Sequence, residues 1–478
     1  MMLRFLYITI LMGVLLSDSA GAVSQISTDH MFLSFDEQGQ LLAAQVCHPT
    51  CSQGSARQLN LKNDNGLIRF EGLPEGPWQL TEQRSDREHT LMFLGPAGEF
   101  LLWTVAKSGY GIQLETQGLG EVSLQADEEF RARDAPGFGE WLEQVRYLAI
   151  EPGNVEQISL DDLEITEVAT EWVGYRSRFW AVLLTADESL SYSLRTAEEN
   201  LDPLLTSQGA ADAMTWQIYI GPVERSALAE VDELLPDLMY AGLWFWLRWI
   251  CIFLAAFLGW IQSIVLCWGL AIMLLSVGVG FMMLPLSRMA DRLQQQVNST
   301  EARLAPELAR IKSGFKGEQQ SNKIMALYKS EGVHPLYSLK SLLGVAIVIP
   351  VFIGAFDMLA ENIHLMNTSF LWIDDLSRPD NFMHMRFDLP FFGSGFNLLP
   401  FLMTGLSIRA SLLHKPLALQ AELRQKQVRN MILLAAAFFV LFYTFPAGMV
   451  LYWTTNNLIS IVKTLWASWT ARQVQVGL

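Results

Sequence analysis

Positive charge is scarce in the first half of this 478-residue chain: Val23 to Tyr240 holds 13 Lys and Arg against 36 Asp and Glu. A surface that acidic repels nucleic acid, so no direct nucleic-acid partner is expected. The same half shows no nucleophile elbow, no Gly-rich phosphate loop and no metal-ligand spacing. Cysteine is scarce too, with four in the whole chain. These absences leave no catalytic group, cofactor or metal to name, and the chain is not expected to be an enzyme.

What is present divides at residue 240. From Ala241 onward there are 19 Lys and Arg against 12 Asp and Glu, together with long apolar runs. The overall shares, 51% hydrophobic and 17% charged, therefore average an ordinary globular part with a membrane part. Residues 1–22 carry Arg4, an apolar run from Phe5 to Leu16, and Ala20-Gly21-Ala22. That run is too short to span a bilayer of ~20 helical residues and reads as a cleaved signal peptide. An uncleaved anchor is the alternative. Either way the acidic domain is exported.

Residues 23–236 contain short alternating segments, among them His89–Gly95, Glu99–Ala106, Tyr110–Gln117, Arg178–Thr185 and Trp216–Gly221, separated by Gly, Pro, Asn and Asp. This is the pattern of an antiparallel β-sandwich. His30, His48 and His89 have no motif around them and read as solvated or capping histidines. Asp161, Asp162 and Glu164 read as a solvated edge. Cys47 and Cys51 flank His48 in an exported segment, so a disulfide is expected, with free thiols or a metal as the alternatives. Cys251 and Cys267 lie in apolar sequence and read as inert thiols.

Five segments of the second half are long and apolar enough to be read as spans: 266–286, 341–360, 395–413, 430–445 and 449–466. The loop 287–340 holds nine Lys and Arg, and 414–429 holds four, whereas 361–394 holds two against five acids. The basic loops are therefore expected in the cytoplasm, with the large domain in the periplasm and the tail 467–478 inside. The stretch 237–265 is rich in tryptophan (Trp244, Trp246, Trp249, Trp260). A sixth crossing there would put the nine-charge loop outside, so it is expected to lie on the outer surface. In 287–340, Leu304, Leu308, Ile311 and Phe315, then Ile324, Leu327 and Tyr328, recur at helical spacing around Ser313-Gly314 and Gly317, which predicts a helical hairpin.

Polar residues within spans face the bundle or a hydrated cavity. The last span carries Tyr452, Thr454, Thr455, Asn456, Asn457, Ser460 and Lys463. Trp453, Asn457, Ser460 and Lys463 or Thr464 share one face. The others carry Ser276, Gly278, Gly280, Thr404, Ser407, Arg409 and Ser411. Helix packing by small and hydroxyl residues and a hydrophilic groove are equally good readings. Arg409 would cost roughly 2.5–3.5 kcal/mol at a span centre, but it lies near enough to the inner boundary to reach the headgroups.

Lys323–Pro335, Phe370–Leu376, and Phe445–Trp453 with Asn457 match one pattern, joined by Pro285-Leu286 and Ile349–Phe352. Ile218–Pro222 and Gly242–Phe245 extend it into the exported domain. The chain resembles the YidC/Oxa/Alb family of membrane protein insertases, over roughly residues 216–466. The resemblance implies a five-helix core around a groove open to lipid and cytoplasm, nascent membrane proteins as clients, and the Sec translocon or the ribosome as partners, in a bacterial inner membrane. It makes Pro285, Pro350, Pro446 and Gly448 structural landmarks. It also implies that Arg409, Ser276, Gly280, Thr404, Ser407, Asn457 and Ser460 line the groove, while Tyr452 and Trp453 touch the passing helix. The family's groove arginine lies five residues before its Pro-Leu, where this chain has Gly280; three readings stand, that Arg409 supplies the charge from another span, that Arg409 reaches the inner headgroups instead, or that the groove needs no cation. A specialised paralogue with few clients, a transporter, or a membrane-anchored binding protein are the other readings.

Overall fold

The computed structural model describes residues 24–476 except 52–56, 63–65, 71, 120–121, 126–129, 131–134, 159–164, 188–190, 196–203, 209–212, 335, 338 and 414–420. The leader and the acidic run at Asp161 lie outside the described residues. Two units form, one of residues 1–242 with 361–367, the other of 243–360 with 368–478.

The first unit is a sandwich of two antiparallel sheets, each nine-stranded among the described residues. One sheet holds the strands Ser24–Ser27, Met31–Phe35, Leu41–His48 and Ile68–Phe70, then Val122–Gln125, Leu204–Gln208, Ser191–Arg195 and Ile165–Ala169, with Arg57–Lys62 beside Leu41–His48. The other runs from Asn154–Ile158 through Arg146–Glu151, Trp172–Arg176, Trp180–Ala186, Ala213–Pro222, Gly111–Gln117, Phe100–Ala106 and Glu88–Leu94 to Gln79–Arg84. Alternation explains the pairing of faces. In Phe100–Ala106, Leu101, Trp103 and Val105 point inward and are fully buried. Phe35 of the first sheet meets Trp103 of the second at 5.1 Å between ring centroids. The Trp103 indole donates to the Gly39 carbonyl at 2.9 Å. Gly39 has φ +84°, and a side chain there would strike Phe93, so the turn requires glycine.

The histidines differ from their sequence reading. His48 and His89 are buried, not solvated. His89 reaches Glu82 at 2.8 Å, and His48 Nδ1 meets the Tyr110 hydroxyl at 3.2 Å. Burial pushes the His48 imidazole down to about 4. The His30 ring lies tilted against Tyr110, 4.9 Å between ring centroids. His89 turns inward because alternation in Glu88–Leu94 places it on the core face, where Glu82 of the neighbouring strand meets it. Cys47 and Cys51 are joined in a disulfide.

The second unit is helical. After α1 (Arg225–Val231), which belongs to the sandwich unit, come α2 (Phe245–Val265), α3 (Trp268–Met282), α4 (Leu284–Gly314), α5 (Gly317–Ser330), α6 (Leu339–Ala360), α7 (Leu398–Leu413), α8 (Ala421–Phe442) and α9 (Ala447–Val476). Among the described residues, α2 alone is long and apolar enough to cross a membrane. This is the segment that its tryptophans and the charge rule assign to the surface. The expected first span, 266–286, is broken instead. α3 stops at Met282, and α4 leaves at 56° with Pro285 in its first turn. The residues expected to form a hairpin are α4 and α5, with the turn at Phe315 and Lys316.

Candidate functional site

The landmark residues first build one end of the helical unit. Pro446 precedes α9, and the first amides of that helix have no partners of their own. Ala447 donates to the Arg378 carbonyl at 2.7 Å and Gly448 to the Leu376 carbonyl at 2.8 Å. The loop after Phe370 thus caps α9. The Phe370 ring also lies against Gly269 so closely that any side chain there would collide with it. Asp380 accepts from the amides of Leu398 and Leu399, the first two residues of α7, at 2.8 and 3.0 Å, and from the Trp372 indole at 3.1 Å. Pro350 lies inside α6, where it removes one helical hydrogen bond.

Beyond this end, α9 packs against α7 and α3. The Asn457 amide on α9 donates to the Met403 carbonyl on α7 at 3.1 Å. The hydroxyls of Ser276 on α3 and Thr404 on α7 are buried, with no hydrogen-bond partner among the described residues. Leaving a buried hydroxyl unsatisfied costs about 1–3 kcal/mol, so these positions are not explained by packing alone. Thr454 and Thr455, by contrast, return their protons to the carbonyls one turn back at 2.6 and 2.8 Å.

Position 280 is informative. The Lys463 ammonium lies 3.7 Å from where a Gly280 side chain would begin, and 5.8 Å from the Phe281 ring centroid. A helix with glycine at this point leaves room for a long cation from its neighbour. Arg409 is exposed on α7. Ser460 is exposed and Ser407 half-buried. The sequence alone places Lys463 on the polar face of α9 and leaves the groove charge open between Arg409 and none. The usable signal was the stripe of Asn457, Ser460 and Lys463, three residues apart on one helix.

Tyr452 and Trp453 lie in the second turn of α9. Tyr452 is buried. Trp453 sits 4.9 Å from Phe352 and about the same reach from Phe438 and Phe442, at 5.9 and 6.0 Å. The Trp453 ring thus packs α9 against α6 and α8.

The sequence profile of the 60Kd inner membrane protein family matches residues 260–473. A protein named membrane protein insertase YidC from Syntrophobacter fumaroxidans is 27% identical over 337 residues, covering 67% of this chain and 58% of the relative. The protein of the same name from Cellvibrio japonicus is 30% identical over 328 residues, covering 65% and 54%. That from Marinomonas sp. is 33% identical over 258 residues, covering 53% and 42%. The chain spans about half the length of these relatives. The matched residues run from the end of α2 through α3 to α8 and most of α9, with their landmark loops, and over them the chain is similar to the proteins named membrane protein insertase YidC.

Proposed function

We propose that this protein inserts and folds inner-membrane proteins through a hydrophilic groove between α3, α7 and α9, without a catalysed reaction. The observation that carries this reading is the cation at Gly280. Lys463 stands at the position that the family resemblance reserves for a charged groove residue, supplied here by α9. A cation and buried hydroxyls on three adjoining helices suit the short polar flank of a nascent helix, which hydrocarbon alone would reject. Water entering such a groove lowers the cost of moving that flank part-way across. The apolar helix behind it is then free to partition into lipid, so no nucleotide hydrolysis is required.

The topology proposed with it is five crossings, formed by α3, α6, α7, α8 and α9. The basic hairpin α4–α5 lies inside and the sandwich in the periplasm. α2 lies at the outer interface, where Trp246, Trp249, Phe253 and Trp260 face outward. The opposite face, Leu247, Cys251, Leu254, Leu258 and Ile261, is buried. Clients are nascent membrane proteins, with the Sec translocon and ribosome as partners at the outer and inner ends.

The test is rescue of cells depleted of their own insertase. Wild type is expected to restore growth, Lys463→Ala to reduce it at least tenfold in plating, and Lys463→Ala/Gly280→Arg to recover it. If Lys463→Ala rescues fully while Arg409→Ala fails, the groove charge belongs to Arg409. If wild type at normal expression rescues nothing, general insertion is the wrong activity, and a narrow client range becomes the better reading.

A further inference from the structure

We propose that His48, Glu224 and His364 form a binding site for a divalent transition-metal cation of the zinc type on the sandwich unit. His48 ends the strand Leu41–His48. Glu224 follows the strand Ala213–Pro222 and directly precedes α1. His364 comes from the segment 361–367, which follows α6 in the chain yet belongs to the sandwich unit. Three stretches far apart in sequence thus deliver two imidazoles and one carboxylate to one place, with their ligand atoms all within 4.8 Å of one another.

The distances suit a cation. His48 Nε2 lies 3.3 Å from one Glu224 oxygen and His364 Nε2 lies 3.3 Å from the other. A tetrahedral ion with bonds of ~2.0–2.1 Å separates its ligand atoms by about 3.4 Å. Two imidazoles and a carboxylate, with the fourth position left to solvent, are a usual zinc donor set. Glu224 and His364 are half-buried, so an ion can enter.

The surroundings fix the correct nitrogen. The Tyr110 hydroxyl donates its proton to the Cys47 carbonyl at 3.1 Å. Its oxygen can then only accept from His48, so Nδ1 carries the hydrogen and Nε2 presents a lone pair to Glu224. A lone pair and a carboxylate oxygen facing each other call for a cation between them. An outer-sphere partner on the far nitrogen is the arrangement that metal-ligating histidines use. His364 is held equally firmly. Its amide donates to the Asn362 side chain at 3.0 Å. Arg57 donates to the carbonyls of His364 and Met366 at 2.8 and 3.2 Å. A metal here would clamp 361–367 to the two sheets, a structural role independent of the groove.

The experiment uses the full chain in detergent micelles, stripped with a chelator and titrated with Zn2+ alone. Co2+ is titrated separately, because its visible absorption reports a tetrahedral donor set. One tight equivalent per chain is expected. Glu224→Gln, close in shape to the original, is expected to weaken binding more than tenfold, as is His364→Ala. Tyr110→Phe, which keeps the ring and removes the partner of Nδ1, is expected to weaken it about tenfold. His334→Ala, on an exposed histidine of the helical unit, is expected to change nothing. Circular dichroism checks each variant, and if His364→Ala loses its fold the Glu224→Gln result decides. No stoichiometric Zn2+ uptake by stripped wild type overturns the proposal, and so does uptake unchanged in Glu224→Gln.

Discussion

The two units of this chain treat apolar side chains in opposite ways. In the sandwich unit, four large hydrophobic residues are exposed among the described residues: Leu80, Leu94, Phe138 and Trp141. In the helical unit they are exposed on nearly every helix, from Trp244 and Phe245 through Phe281, Leu402 and Leu433 to Trp466 and Trp469. Each unit also hides polar groups, but differently. The sandwich pairs its buried charges, Arg176 with Glu361 at 3.1 Å and Arg178 with Glu143 at 3.0 Å. The helical unit buries mainly neutral hydroxyls and amides such as Ser276, Asn397 and Thr455, with the Asp380 carboxyl beside them. A sandwich built this way is designed against water. A helical unit with leucines outside and hydroxyls inside fits the proposed membrane setting, a solvent of hydrocarbon where the usual inside-out logic reverses.

The sharpest way to break that contrast is to empty each core in turn. Trp103 is fully buried and bonded to the Gly39 carbonyl. Trp103→Ala is expected to destabilise the sandwich by about 3–5 kcal/mol, read as a lower thermal midpoint of the near-ultraviolet circular dichroism signal. A loss under about 1 kcal/mol would mean that the sheets do not meet at Phe35 and Trp103.

Much of this contrast was legible in the sequence, and the reason is local. Period-two alternation in Phe100–Ala106 and Gly111–Gln117 decides which face is buried whatever the sheet order. Pro285 and Pro446 mark helix starts because proline lacks an amide hydrogen. Loop charge between 287 and 340 carries its own topological meaning. What was not legible depends on tertiary distance. Nothing near His48 announces Glu224 or His364, since the topology of two interleaved sheets and a returning segment joins them. The sequence reads as one span over 266–286, whereas the helix breaks at Met283 and resumes at once in a new direction. Lys463 was visible on its own helix, but its approach to Gly280 depends on how α9 meets α3.

A smaller effect probes the boundary between the two regimes, in the loop that caps the helical unit. All three donors to Asp380 reach the same oxygen. Burial pushes its carboxyl above the ordinary value of 3.8, although those three bonds oppose the shift. A raised folded value means that this group's contribution is fully present below 3.8 and is lost as pH rises through the folded value. At neutral pH the bonds therefore matter more than the charge. Asp380→Asn keeps an acceptor and is expected to stay within about 0.5 kcal/mol of wild type. Asp380→Ala strands the amides of Leu398 and Leu399 and is expected to cost about 1–2 kcal/mol. Thermal unfolding of the full chain in micelles separates the two. An asparagine variant as damaged as the alanine would show that the carboxylate charge itself holds α7.

The smallest expected effect is the most direct test of the reversed solvent. Leu433 is 62% exposed on α8, next to Leu434 at 58%, while Ala435 behind them is buried. In the sandwich, truncating a fully buried leucine such as Leu91 should cost about 2–5 kcal/mol. At Leu433 the side chain faces lipid or detergent in both wild type and variant, so its removal forfeits little packing. Leu433→Ala should therefore shift stability by no more than about 0.5 kcal/mol in micelles. Leu433→Lys should also be tolerated in micelles, where its amine can reach water. In a bilayer it should lower the inserted yield, because a charge near the midplane costs roughly 2.5–3.5 kcal/mol. If Leu433→Ala proves as costly as Leu91→Ala, the outer face of α8 is covered by protein rather than hydrocarbon, and the five-crossing arrangement would need a partner helix there.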